Sequence, residues 1–180
     1  MTTFIALLRG INVSGQKKIK MADLRAHLEE LDLRNIRTYV QSGNVIFESK
    51  EPDATFLERQ IEKKILEKYG FEVVVMVKMT RELLYVLENN PFIKSGGKDT
   101  SRLYVTFLSN IPDQEQLRKL ETVNYSPEEF ILDGKNIYFF SPQGYGKAKM
   151  NNNFFEQKLK VDATTRNWNT VNKLVAMADE

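Results

Sequence analysis

The sequence predicts an α+β protein of two tandem ferredoxin-like (βαββαβ) halves packed as one compact unit. Three observations carry this expectation. Apolar runs at strand spacing alternate with segments at helical spacing in the order β-α-β-β-α-β. The order then recurs, without residue identity, in the second part of the chain. Between the two lies "NNPFIKSGGKDTS", where Pro91 and Gly96-Gly97 mark a connection over about residues 91–101. The halves are therefore placed at residues 1–92 and 93–180. At 180 residues, with 42% hydrophobic and 28% charged content, the chain suffices for one sizeable core or two small ones.

The first element, Thr3 to Arg9, is apolar at successive positions from Phe4 to Leu8, the pattern of a strand buried on both faces. A basic loop follows. Met21, Leu24, Leu28 and Leu31 then repeat at three and four residues and mark a helix. "IRTYVQSGNVIFES" reads as two strands around Ser42-Gly43-Asn44, a hairpin turn. Asp53 is placed to cap a second helix, with Leu57, Ile61 and Ile65 on one face and Gly70 as its stop. "EVVVMVK" is a strand, and Thr80 is expected to cap a third helix carrying Leu83, Leu84, Val86 and Leu87. In the second half "SRLYVTFLS" is a strand and residues 113–121 a charged helix. "FILDGKNIYFF" forms two strands around Asp133-Gly134-Lys135-Asn136, "MNNNFFEQKLK" a helix, "DATT" a short strand and "NWNTVNKLVAMA" a helix. Because strands in both halves are apolar at consecutive positions, their outer faces are expected to be covered. The expected solution is that the two sheets cover one another or join edge to edge.

The stretches "LLRGINVSGQKKIKM", "TYVQSGNVIF" and "ATTRNWNTVNKL" resemble the bacterial domain-of-unknown-function family numbered 1697. Its members open with an LLRGINVGG-like stretch and continue to a TYIQSGNVVF-like hairpin. The resemblance covers nearly the whole chain and implies an α+β fold related to ferredoxin-like units. It implies no activity, cofactor or catalytic residue. Ser14 stands where the family usually shows Gly, which weakens any need for two adjacent glycines in the loop.

The candidate sites begin with that loop. Arg9, Lys17, Lys18 and Lys20 surround Gly10 and Gly15 with no acid between residues 7 and 21. The loop leads into a helix start, whose unpaired N–H groups and dipole favour an anion. It has neither the GxxxxGK[ST] order of a P-loop nor a dinucleotide fingerprint, and loop lysines are more often solvated than ligated. Asn12 is read either as part of the site or as the side chain that holds the turn. Arg37, Tyr39 and Gln41 alternate with Ile36, Thr38 and Val40, so that a guanidinium, a phenol and an amide converge near Ser42 and Asn44. The same groups suit buried hydrogen bonds equally well. In the second half "SPQGYGKAKMNNNFF" places Lys147 and Lys149 among glycines before a helix. Arg166 and the only tryptophan, Trp168, lie at the last helix start, to stack on a base or to anchor the helix.

Other classes find little support. There are no cysteines, which removes disulfide scaffolds and thiolate chemistry and is compatible with a reducing compartment. The N-terminal apolar run is too short for a signal peptide, and no segment approaches the roughly 20 apolar residues that span a bilayer, so a cytoplasmic protein is expected. A formal charge of +2 does not argue for nucleic acid. His27, the sole histidine, reads as a partly covered surface residue, and no metal motif is present. The adjacent acids Glu128-Glu129 read as solvated surface. The leading expectation is a protein that binds a small phosphorylated or otherwise anionic ligand, a nucleotide among the candidates. The alternative is a protein-interaction or assembly module, with nucleic-acid binding third. The sequence names no cofactor and no oligomeric state, and does not decide whether the protein is an enzyme.

Overall fold

Five consecutive apolar residues with no solvent exposure, Phe4 to Leu8, form the centre of the first sheet. The computed structural model describes residues 1–180, which divide into two units: Met1–Tyr85 with Lys173–Glu180, and Val86–Asn172. The fold is α+β with two separate four-stranded antiparallel sheets. No helix is long and apolar enough to cross a membrane.

In the first unit the order is β1 (Thr2–Leu8), α1 (Met21–Leu28), β2 (Arg34–Tyr39), β3 (Asn44–Ser49), α2 (Ala54–Tyr69) and β4 (Val75–Met79). The sheet runs β2-β3-β1-β4, so β1 lies between β3 and β4. This order is compatible with a split βαβ arrangement. Alternation of side chains along each strand divides the apolar residues between two faces. Phe4, Ala6, Leu8, Val45, Phe47, Val75 and Val77 pack with Leu24 and Leu28 of α1 and Leu57, Ile61 and Ile65 of α2. Ile5, Leu7, Ile46 and Met76 point to the opposite face and are buried as well. Asp53 caps α2 by accepting the N–H groups of Thr55 (2.9 Å) and Phe56 (3.3 Å), and Gly70 ends it in the left-handed conformation.

The helix α3 (Thr80–Asn89) follows β4, and its first turn departs from expectation. The Thr80 hydroxyl is buried and makes no hydrogen bond; instead the Glu82 carboxylate accepts the Met79 N–H at 2.8 Å. The segment after it is not plain connection, because Pro91 opens a short helix α4 (Pro91–Ser95) capped by Asn90, which accepts from Phe92 N–H at 3.0 Å.

The second unit continues β5 (Leu103–Leu108), α5 (Gln114–Glu121), β6 (Glu129–Asp133), β7 (Asn136–Phe140), α6 (Asn152–Leu159), β8 (Ala163–Asn167) and the start of α7 (Trp168–Ala178), whose residues from Lys173 on belong to the first unit. Its sheet runs β6-β7-β5-β8. Tyr104, Leu108, Ile137 and Phe139 pack with Phe155 and Leu159 of α6, while Val105, Phe107 and Tyr138 are buried on the other face. Gly134 takes φ +60° in the two-residue turn between β6 and β7. Glu128 corrects the reading of a solvated acid pair. It is buried, because its carboxylate turns inward to accept the N–H groups of Lys149 (2.7 Å) and Met150 (2.9 Å) before α6. Its neighbour Glu129 is exposed and ion-paired with Lys98.

Candidate functional site

The opening loop is held at its root. Leu8 N–H donates to Gly43 O (2.8 Å) and Arg9 N–H to Val74 O (2.9 Å), which fixes the loop between the β2–β3 turn and the connection from α2 to β4. Gly10, Asn12, Ser14, Gly15 and Lys17 all have positive φ, between 44° and 74°. Val13 and Gln16 pair across Ser14-Gly15, a two-residue turn whose central residues are both left-handed. Asn12 turns its amide inward. Its Nδ2 donates to Ile19 O (2.9 Å) and Gln41 O (2.7 Å), and its Oδ1 accepts the Ile19 N–H (2.8 Å). Of the two readings of Asn12, this geometry is that of a side chain holding the loop.

The cations of the loop are not equivalent. Lys17 Nζ donates to Glu72 O at 2.6 Å, whereas Lys18 and Lys20 are exposed. Lys20 occupies the cap position of α1 in extended conformation and provides no side-chain cap. The caps of α2, α4, α5 and α6 are Asp53, Asn90, Asp113 and Asn151, each accepting a backbone N–H. Asp23 is the acid in the first turn of α1. On the hairpin, Arg37 Nη1 lies 3.2 Å from Glu180 Oε2, an ion pair within the first unit. Gln41 offers its carbonyl to Asn12 and is otherwise exposed.

The hairpin turn is wider than expected. Tyr39 pairs with Asn44, so residues 40–43 form the turn, and Val40 (φ +51°) and Gly43 (φ +84°) take left-handed conformations. Asn44 is fully buried as the first residue of β3, and its Nδ2 donates to Tyr39 O (2.9 Å) and Ser42 Oγ (3.0 Å). These bonds close the turn.

In the second unit Lys147 is exposed and, with Lys149, Gln143 and Tyr125, lines a cavity of about 90 Å³ over the buried Glu128. Lys149 is the second lysine of the basic loop expected from the sequence, whereas Gln143 and Tyr125 are additions that the sequence reading does not single out. Arg166 is buried, and burial lowers its pKa to about 10 against the opposing effect of Tyr145. Its Nη1 donates to Thr164 Oγ1 (2.8 Å) and Thr165 O (3.0 Å). Trp168 is 7% exposed at the start of α7, where Asn167 accepts the Thr170 N–H at 2.8 Å, an anchored and capped helix start. Within the first unit, Arg9, Gly10, Asn12, Lys17, Lys18, Gln41 and Asn44 belong to the loop and the turn that touches it.

A family model described as "Protein of unknown function (DUF1697)" matches residues 1–138. The solved structure of a conserved bacterial protein from Streptococcus pneumoniae is similar over 98% of this chain and 98% of its own, with a TM-score of 0.77 and 26% sequence identity. No curated protein matches the sequence.

Proposed function

Because the chain belongs to the family of proteins of unknown function DUF1697, we propose its function from its own residues: binding of a small phosphorylated or otherwise anionic ligand, a nucleotide among the candidates, at the opening loop. One observation carries this reading. The start of α1 has Lys20 in the cap position and no side-chain acceptor for its free N–H groups. An anion there meets those N–H groups, the positive end of the helix and the exposed Lys18 and Lys20. Asn12 and Lys17 hold the loop in place, so little ordering entropy opposes binding.

The test is thermal unfolding against nucleotides, sugar phosphates and short single-stranded RNA and DNA. A ligand at about 100 times its Kd stabilises by about 2.7 kcal/mol. Lys18→Ala with Lys20→Ala should abolish the shift. Lys17 is left intact, since its loss would free the loop itself. A phosphate-dependent shift that survives the double variant overturns the assignment. If nucleic acid gives the shift, a steep fall of affinity with salt identifies that third reading.

A second reading, an interaction or assembly module, is favoured by Val13 and Val40, 58% and 49% exposed at the loop tip and hairpin turn. Light scattering over a concentration series separates it from a ligand-binding monomer. In this proposal each unit is ferredoxin-like, as the strand orders support, and the protein is bacterial, as its similarity to a conserved bacterial protein supports, and cytoplasmic, with which a cysteine-free sequence is compatible.

A further inference from the structure

We propose a second small-molecule site in the first unit, one that takes a free α-amino acid with a planar side chain. It lies at the end of the sheet where Thr2 pairs with Ser49; the opening loop leaves from the other end, beyond the Leu7–Asn44 pair. A cavity of about 410 Å³ opens there, within the size range of small-molecule sites.

The charges in its wall define the ligand. Arg34, Lys50 and Asp32 are exposed and make no ion pair. The fourth charged side chain, Glu51, has one carboxylate oxygen committed to the Asp53 N–H at 2.9 Å, and Met1, which carries the α-ammonium, lines the wall as a further cation. Asp53 in turn caps α2, so the helix start offers nothing to an anion and only side chains remain to bind one. Cations and carboxylates in one wall disfavour a dianionic phosphate and favour a molecule carrying both signs. The ligand's carboxylate meets Arg34 and Lys50, and its ammonium meets Asp32. Phe56 and Gln60, one helical turn apart on α2, line the same cavity. Phe56 is 46% exposed, and its ring offers an apolar face against which a planar side chain stacks, while the Gln60 amide supplies a hydrogen-bonding edge.

Isothermal titration of the full chain with L-phenylalanine, L-tryptophan and L-glutamine tests this, alongside their N-acetyl and amide forms and adenosine monophosphate. At least one free amino acid is expected to bind, and blocking either end should weaken it by about tenfold or more. Asp32→Asn should weaken the free form and leave the N-acetyl form unchanged; Arg34→Ala should weaken the free form and leave the amide unchanged. Lys18→Ala with Lys20→Ala should have no effect, which separates this site from the opening loop. No binding of any free amino acid at millimolar concentration, or equal binding of the blocked forms or of adenosine monophosphate, overturns the proposal.

Discussion

Asn12 joins three backbone groups through one amide while itself holding φ +55°. Asn12→Ala leaves those groups unpaired and places a less tolerant residue in the left-handed region, so it should destabilise by about 1–3 kcal/mol in denaturant titration. Asn12→Gly relieves the backbone strain but restores no hydrogen bond; if Gly recovers wild-type stability, the side-chain bonds contribute nothing. Gly43 is constrained differently. A Cβ there would lie 2.7 Å from both Leu8 Cβ and Ile11 Cδ1, at φ +84°. Gly43→Ala should cost about 2–4 kcal/mol from overpacking and left-handed strain together. Glu30, in the turn just after α1, supplies a pH-dependent contact with α2. Hydrogen bonds from Lys68 and then Lys64 hold its carboxyl down to about 2 from 4.5. A depressed acid stabilises the fold above its unfolded pKa, and that stability is lost as pH falls from about 4.5 toward about 2. The Tm advantage of wild type over Glu30→Gln should therefore be present at pH 7 and vanish near pH 2; an equal gap at both ends would refute it.

At the level of elements, β4 is an edge strand whose outward N–H groups would otherwise be open to another chain. Glu62 and Glu58, one turn apart on α2, accept the N–H groups of Val75 (3.0 Å) and Val77 (2.9 Å), and Glu82 accepts that of Met79. The second unit repeats the device, with Glu156 of α6 accepting the Ala163 N–H at 2.9 Å on edge strand β8. Glu58→Ala with Glu62→Ala should lower stability by about 2–5 kcal/mol, since each lost bond is to a charged acceptor. It should also produce concentration-dependent association in sedimentation experiments. The paired Gln variant keeps both acceptors and should not associate, whereas association by the Gln variant as well would point to charge alone. The helices themselves were legible because Leu57, Ile61 and Ile65 recur at helical spacing. Their edge-capping glutamates were not, because a periodicity reading assigns the polar face to solvent. Thr80 shows the converse error: a residue type suited to capping was present, but Glu82 made the bond.

Across the whole chain, what sequence reading missed is what depends on distant residues. The basic loop was visible as a charge cluster, yet Lys17 is committed to a carbonyl 55 positions away, and no local pattern encodes that partner. The order of strands and helices was legible from local periodicity, whereas the return of Lys173–Glu180 to the first unit was not. Leu174, fully buried, and Val175, 5% exposed, lie in that returning segment. The first unit is thus completed by residues distant in sequence, and part of its stability depends on closing the long segment between them. Leu174→Ala should cost about 2–5 kcal/mol, as for a large-to-small change at a buried site. Hydrogen exchange can then read where the loss falls. Amides of β1 and β3 are expected to lose more protection than those of β5 and β7, because residue 174 belongs to the unit that β1 and β3 build. Equal loss in both sheets would show that the two units open as one cooperative body, and that stability is shared along the chain rather than held unit by unit.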